Sequence, residues 1–190
     1  PTMGGVLILI AVLLPTLLLA NLTNPYIQII IFATIWMGLV GFIDDYLKVI
    51  KSYNKGLIAR YKLIGQFLCG SLLGYYLLTN NYFAYIIENG EKISIPNTAI
   101  SIPFISNGFY DLGFLYIPLV IIIIIASSNS VNLTDGLDGL ATGLVAISCM
   151  TFSTIAYATS RYDFSNYLNI FFIPGSEELF VFSYQIIFLR

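Results

Sequence analysis

Long uncharged apolar runs alternate with short polar segments along this chain. The hydrocarbon core of a bilayer is about 30 Å thick and needs roughly 20 predominantly apolar residues in a helix to cross it. Six runs approach this length, and none contains an internal charge. We therefore predict an all-α membrane protein, a polytopic helical bundle of about five complete spans plus one truncated span. The predicted spans are residues 4–20, 26–43, 63–79, 113–128, 139–160 and 179–190, the last of them truncated.

The segment between the third and fourth spans has a different pattern. Residues 91–105 alternate apolar with small polar side chains and include two prolines and an asparagine. Turn residues that punctuate such alternation are typical of short strands rather than of a helix. We predict a small extracytoplasmic hairpin there. Pro15 and Pro118 lie inside predicted spans, where we expect kinks rather than breaks, because neighbouring helices can satisfy the freed carbonyl groups.

The basic residues predict how the spans are oriented. Five of the eight Lys and Arg residues lie between the second and third spans. Lys and Arg accumulate in short cytoplasmic loops, so this loop is predicted to be cytoplasmic. Counting alternately, the amino terminus and residues 132–138 share that side. We expect residues 1–190 to form a single integral membrane domain.

Composition excludes several classes of protein. Hydrophobic residues make up 58% of the chain and charged residues 9%, with a net charge of −2. Soluble domains carry about 25% charged residues, so a soluble enzyme, a disordered chain and a nucleic-acid-binding protein are all disfavoured. The chain has no histidine and only two cysteines, which are far apart. We therefore expect any chemistry to use carboxylates, lysines and hydroxyls rather than imidazole or paired thiols.

The first candidate site is an acidic pair at the predicted cytoplasmic face. Asp44 and Asp45 directly follow an apolar helix. An ionised carboxylate is costly there, and it lies poorly at the negative end of the helix dipole. A nearby divalent cation would lower both costs. The alternatives are that the pair only marks the membrane boundary, or that Lys48 pairs with Asp45 at helical spacing.

The second candidate site follows the fourth span. Asp135 and Asp138 are three residues apart, which places both carboxylates on one helical face, and Asn132 extends the same spacing backward. Adjacent glycines permit close backbone approach. Such oxygen groups suit hard cations such as Mg²⁺, or ribose and base groups. The alternative is a helix amino-terminal cap, in which Thr134 or Asp135 caps the span that follows.

Four motifs occur in a fixed order along the chain. They are PTMGG at 1–5, GFIDDYLK at 41–48, KGLIARYK at 55–62 and NLTDGLDGLA at 132–141. With these motifs the whole chain resembles the phospho-N-acetylmuramoyl-pentapeptide transferases, within the polyprenyl-phosphate hexosamine-1-phosphate transferase superfamily. We expect the chain to be a fragment lacking both ends, and to be inactive by itself.

The resemblance implies a reaction and a location. The reaction is Mg²⁺-dependent transfer of phospho-N-acetylmuramoyl-pentapeptide from its UDP carrier to undecaprenyl phosphate, which forms lipid I and UMP in peptidoglycan synthesis. The location is the bacterial cytoplasmic (inner) membrane, with a multi-pass chain whose active site faces the cytoplasm. The expected partners are the two substrates and the lipid bilayer, not nucleic acid, and a homodimer is left open.

The resemblance also implies roles for individual residues. Asp44 and Asp45 belong to the catalytic centre. Asp45 and Asp135 are candidate metal ligands, and the family's main Mg²⁺ ligand is expected beyond residue 190. The candidate substrate-binding residues are Thr2, Lys48, Asn132, Asp135, Gly136, Leu137 and Asp138.

Three other functions compete with this one. The first is an N-acetylglucosamine-1-phosphate transferase that uses UDP-N-acetylglucosamine and a polyprenyl phosphate. The second is a membrane transporter or channel, for which acids near the bilayer midplane would be expected. Here the spans are free of charge, and the acids of the two candidate sites gather at one predicted interface. The third is a non-catalytic membrane scaffold.

Overall fold

A computed structural model describes residues 4–49, 59–80, 84–88, 90–101, 109–134 and 140–188. Helices dominate these ranges, and three are long and apolar enough to cross a membrane: Pro25–Leu47, Gly113–Thr134 and Leu140–Ser160. The predicted class, a helical membrane protein, is confirmed, while the number of spans stays a prediction. The helices are α1 Gly4–Leu19, α2 Pro25–Val49, α3 Ala59–Thr79, α4 Tyr116–Thr134, α5 Leu140–Ser160, α6 Tyr162–Leu168 and α7 Glu177–Phe188.

Helix α2 begins at a proline that follows an asparagine cap. Pro25 suits the first helical position because its missing N–H would have no partner there. The Asn24 Oδ1 atom accepts a hydrogen bond from the Tyr26 N–H at 2.9 Å. Its Nδ2 atom donates to the Gly175 carbonyl oxygen at 2.8 Å. Asn24 therefore both starts α2 and holds the segment that leads into α7.

The two prolines inside predicted spans occupy different positions in their helices. Helix α1 continues through Pro15. Pro118 is the third residue of α4, which follows a short 3-10 turn at Gly113–Leu115. N–H groups in the first turn of an α-helix lack an intrahelical acceptor, so a proline there removes little. The kinks expected at Pro15 and Pro118 stay predictions.

The chain between α3 and α4 forms two antiparallel strand pairs in the described residues, rather than the single hairpin predicted over 91–105. Strand β1 (Ala84–Glu88) pairs with β2 (Glu91–Ile95), and β3 (Ala99–Ser101) pairs with β4 (Phe109–Asp111). The partner of β2 thus lies before the predicted segment. Its sequence, AYIIE, lacks alternation, so the pattern alone did not mark it as a strand.

The β1–β2 pair has a small core and a fixed partner. Its buried residues include Ile86 and Ile95. Tyr85 and Phe172 exchange two backbone hydrogen bonds, each 2.8 Å long. The Lys92 ammonium lies 4.5 Å from the centroid of the Phe172 ring, a cation–π distance. The strands are therefore tied to the segment between α6 and α7, at what we call the strand end of the bundle.

The most extensive helix contacts are those of α3 with α4 and of α5 with α7. Two glycines on α3 allow its backbone to approach α4 closely. A Cβ atom at Gly70 would lie 2.8 Å from the Ile121 Cα, and one at Gly74 would lie 3.0 Å from the Ile117 Cα. Small residues four apart are typical of close helix pairs in membranes.

This contact predicts the effect of an alanine substitution in α3. Gly70→Ala would place a methyl group against the α4 backbone, and overpacking of this kind costs about 1 to 3 kcal/mol. We expect a lower thermal unfolding midpoint in detergent. Gly143→Ala on α5 is the matched control, because a Cβ there meets nothing within 4 Å. Equal midpoints for the two variants would contradict the close approach.

Candidate active site

A polar cavity of about 290 Å³ lies where α2 ends, α3 begins and α4 ends. We call this the site end of the bundle. The cavity combines carboxylate, ammonium, amide and hydroxyl groups within a largely apolar helical structure. The lining residues are Met37, Val40, Gly41, Asp44 and Asp45 from α2, Lys62 and Gln66 from α3, and Ser128, Asn129, Val131 and Asn132 from α4.

An ion pair joins α2 to α3 in this cavity. The Lys62 Nζ atom lies 2.7 Å from the Asp44 Oδ2 atom, and the two side chains are 31% and 8% exposed. A distance this short is typical of a charge-assisted hydrogen bond. Because the Asp44 side chain is nearly buried, removal of Lys62 would leave a poorly solvated carboxylate. The pair therefore fixes the end of α2 against the beginning of α3.

The two aspartates line the same cavity from different angles. Successive residues on an α-helix point about 100° apart. Asp44 is buried, whereas Asp45 is partly exposed. Asp44 contacts Lys62, and Asp45 adds a second carboxylate to the lining. The site thus holds two carboxylates in different environments, which permits them different roles.

Asn132, the described residue of the second candidate site, lines the same cavity as the acidic pair. It lies on the last turns of α4, which ends at Thr134. The Thr134 hydroxyl donates to the Val131 carbonyl oxygen at 2.9 Å, within its own helix. In the described residues Thr134 therefore belongs to α4, and the alternative in which Asp135 caps the following span lies outside them.

Three of the polar side chains that line the cavity connect α3 to α4. The Gln66 Nε2 atom donates to the Ser128 Oγ atom at 3.0 Å. The Asn129 Nδ2 atom donates to the Gln66 Oε1 atom at 3.0 Å and to the Ile125 carbonyl oxygen at 2.7 Å. Gln66 is 5% exposed, and both ends of its amide are hydrogen-bonded. We call Gln66, Ser128 and Asn129 the amide clamp.

Lys62 and the amide clamp were not predicted as site residues. Lys62 is the last residue of the KGLIARYK motif, which contributed to the family resemblance without being assigned a role. Gln66 is an amide inside the apolar third span. Polar side chains within membrane helices commonly hydrogen-bond to one another, so Gln66, Ser128 and Asn129 carried a usable signal.

Several predicted site residues lie outside the described part of the chain. For Lys48 only the helical backbone is described. The positions of these predicted site residues relative to the cavity stay predictions. A shared helical face for Asp135 and Asp138 also stays a prediction. The residues wholly outside the described ranges are Thr2, Asp135, Gly136, Leu137 and Asp138.

The described residues offer part of a metal site. The carboxylate of Asp45 and the side-chain amide of Asn132 are oxygen donors of the kind that hard cations prefer. Within the described ranges, no group of three or more Asp, Glu, His or Cys residues is placed to hold a metal ion. The donor chemistry therefore fits a hard cation, and further ligands would be needed to complete its coordination.

Comparison with known proteins shows what the chain is similar to. The sequence model of the family described as glycosyl transferase family 4 matches residues 27–184. A phospho-N-acetylmuramoyl-pentapeptide-transferase of Chlorobaculum parvum is 43% identical over 98% of this chain and 48% of its own length. The enzyme of the same name from Porphyromonas gingivalis is 39% identical over 98% of this chain and 51% of its own length. A third enzyme of this name, from Thermodesulfovibrio yellowstonii, is 43% identical over 96% of this chain and 47% of its own length.

The chain thus spans about half the length of the curated relatives it matches. The family match covers α3, α4, α5 and α6 completely and nearly all of α2. It includes every described residue that lines the polar cavity. On this match, the chain belongs to glycosyl transferase family 4.

Proposed function

We propose that the protein containing this chain transfers phospho-N-acetylmuramoyl-pentapeptide from its UDP carrier to undecaprenyl phosphate, forming lipid I and UMP. The observation that carries the proposal is the polar cavity at the ends of apolar helices. There Asp44, Asp45, Lys62 and Asn132 meet. Relatives named as this transferase are 43% identical to the chain.

The chemistry of the substrates suits this position. Both are anionic phosphates, and the acceptor also carries a long polyprenyl tail. A site for both must therefore be polar and wet while bordering apolar helices. Lys62 contributes a positive charge that can attract phosphate, although Asp44 partly neutralises it. The basic residues between α2 and α3 support a cytoplasmic orientation in a bacterial inner membrane, which remains part of the proposal.

The reaction is a phosphoryl substitution. An oxygen of the lipid phosphate forms a bond to the sugar-bearing phosphorus of the nucleotide substrate. The bond from that phosphorus to the bridging oxygen breaks, and UMP leaves with the electron pair. Catalysis of such a step is mostly positioning and electrostatic stabilisation of the phosphate oxygens. The acceptor phosphate is largely ionised near neutral pH, so the protein needs mainly to orient it.

We assign different roles to the two aspartates. Asp44 is engaged by Lys62 and orients that cation within the cavity. Asp45 is the carboxylate that faces the lipid phosphate or a metal ion. The proposed substrate contacts are Thr2, Lys48, Asn132, Asp135, Gly136, Leu137 and Asp138.

Mg²⁺ is the proposed cofactor, with Asp45 and Asp135 as ligands in this chain. The metal would supply charge neutralisation on the pyrophosphate and on the departing UMP. A homodimer also belongs to the proposal.

The direct test uses the full-length protein that carries this chain. Purified in detergent and supplied with Mg²⁺, undecaprenyl phosphate and radiolabelled UDP-N-acetylmuramoyl-pentapeptide, it is expected to form lipid I and release UMP. UDP-N-acetylglucosamine is expected to compete poorly. Transfer of N-acetylglucosamine phosphate in place of the muramoyl substrate would move the assignment to the related hexosamine transferases.

Neutralising either aspartate should abolish most turnover in the same protein. We expect Asp45→Asn and Asp44→Asn each to lower kcat at least about a hundredfold, the scale lost when a proton-transfer or charge-stabilising group is removed. Asp163→Asn is the matched control, because Asp163 is an exposed acid on α6, outside the polar cavity. Normal kcat in Asp45→Asn would contradict a catalytic role for the pair.

Lys62 should affect stability and turnover in separable ways. Lys62→Met leaves Asp44 nearly buried without this cation, which we expect to cost about 1 to 3 kcal/mol of unfolding free energy. The double variant Asp44→Asn/Lys62→Met should recover the thermal unfolding midpoint, because neither charge of the ion pair remains, while the rate of lipid I formation stays low but measurable. Recovery of turnover in the double variant would show that the pair is only structural.

A further inference from the structure

The amide clamp is part of the cavity lining and lies one helical turn from Lys62 on α3 and from Asn132 on α4. We propose that Gln66 is a positioning residue of the transferase: through Ser128 and Asn129 it sets the register of α3 against α4, so that Lys62 and Asn132 face one cavity. This inference rests on the proposed function for its catalytic part. Its structural part, the register of α3 against α4, concerns only the described helices.

The spacing along α3 and α4 supports this role. Lys62 precedes Gln66 by four residues, so the two side chains share one face of α3. Asn132 follows Ser128 by four residues and Asn129 by three, and so shares their face of α4. The clamp therefore lies one turn further into the bundle than Lys62 and Asn132.

The packing beyond the clamp does not by itself fix the register. Gly70 and Gly74 let α3 lie directly against the α4 backbone at Ile121 and Ile117. The α4 surface there is rich in isoleucine, so its contacts with α3 are apolar and non-directional. Hydrogen bonds are directional, and a buried polar network favours one arrangement over its neighbours.

The Gln66 amide is satisfied in one arrangement of the two helices. Its Nε2 atom donates to Ser128 while its Oε1 atom accepts from Asn129, each at 3.0 Å. Gln66 is 5% exposed, so water is a poor substitute for either partner. Asn129 is itself held by the Ile125 carbonyl oxygen at 2.7 Å. Sliding α3 along α4 would break both bonds of the glutamine.

The first test is kinetic and uses the full-length protein. Gln66→Met keeps the size of the side chain and removes both hydrogen bonds. We expect kcat per folded enzyme to fall about tenfold, because a tenfold change in rate corresponds to the net free energy of about one hydrogen bond. Asn129→Leu should match it, and the double variant Gln66→Met/Asn129→Leu should lose no more than either single variant.

Gln28→Met is the matched control. Gln28 lies near the start of α2, outside the polar cavity, and its Nε2 atom donates to the Leu22 carbonyl oxygen at 2.9 Å. The Gln28→Met variant should leave kcat unchanged. A positioning residue acts through its target, so Gln66→Met should have little further effect on kcat in a Lys62→Met background. The proposal would be overturned if Gln66→Met lowered kcat tenfold both in the otherwise unmodified protein and in the Lys62→Met variant. A loss of activity that came wholly from a smaller amount of folded protein would also overturn it.

The second test needs no activity. In the full-length protein with every native cysteine, including Cys69 and Cys149, replaced by alanine, cysteines introduced as Lys62→Cys and Asn132→Cys are joined by a short bifunctional thiol reagent. We expect the cross-linking rate to fall severalfold when Gln66→Met is added, and to be unaffected by Gln28→Met. An unchanged rate with Gln66→Met would overturn the clamp. If the unmodified protein made no lipid I, the proposed function would fail, while this measurement would still decide the clamp.

Discussion

The ion pair between Asp44 and Lys62 is the contact on which the arrangement of the site depends. Apolar helices offer little that distinguishes one rotation from another, whereas a nearly buried carboxylate strongly favours the rotation that keeps its cation within 2.7 Å. The same pairing also brings Asp45 into the cavity lining from the adjacent position on α2. A second contact, from the Trp36 Nε1 atom to the Gly65 carbonyl oxygen at 2.9 Å, holds α2 and α3 together one turn further into the bundle.

Close packing and hydrogen bonding have different effects at the α3–α4 interface. The glycines at 70 and 74 bring the two backbones together, and the amide clamp selects how they align. Neither is sufficient alone, because close contact without directional bonds tolerates sliding, and buried amides without close contact are left unsatisfied. Together they carry Asn132 to the cavity that Asp44 and Lys62 already border.

The polar cavity and the Asp44–Lys62 ion pair lie at the site end, while the contacts at the strand end have a structural character. Backbone pairing of Tyr85 with Phe172 joins the strands to the segment before α7, and Asn24 joins the start of α2 to that same segment. These contacts link portions of the chain distant in sequence without adding charge to the bundle interior. Carboxylates at helix ends, rather than halfway along the helices, favour chemistry at an interface over a path through the bilayer.

The amino-acid sequence by itself determined the membrane class, the approximate helix positions, the acidic pair and the family, because hydropathy, periodicity and ordered motifs are local properties of a chain. Only the tertiary structure decided that Lys62 is a partner of Asp44, that Gln66 joins Ser128 and Asn129, and that β2 pairs with the strand before it. Each of these joins residues on different elements. Such pairings depend on helix rotation, helix register and strand pairing. In an apolar chain, many alternative arrangements bury nearly the same surface. The few directional polar contacts that select one arrangement therefore become visible only when the elements are packed.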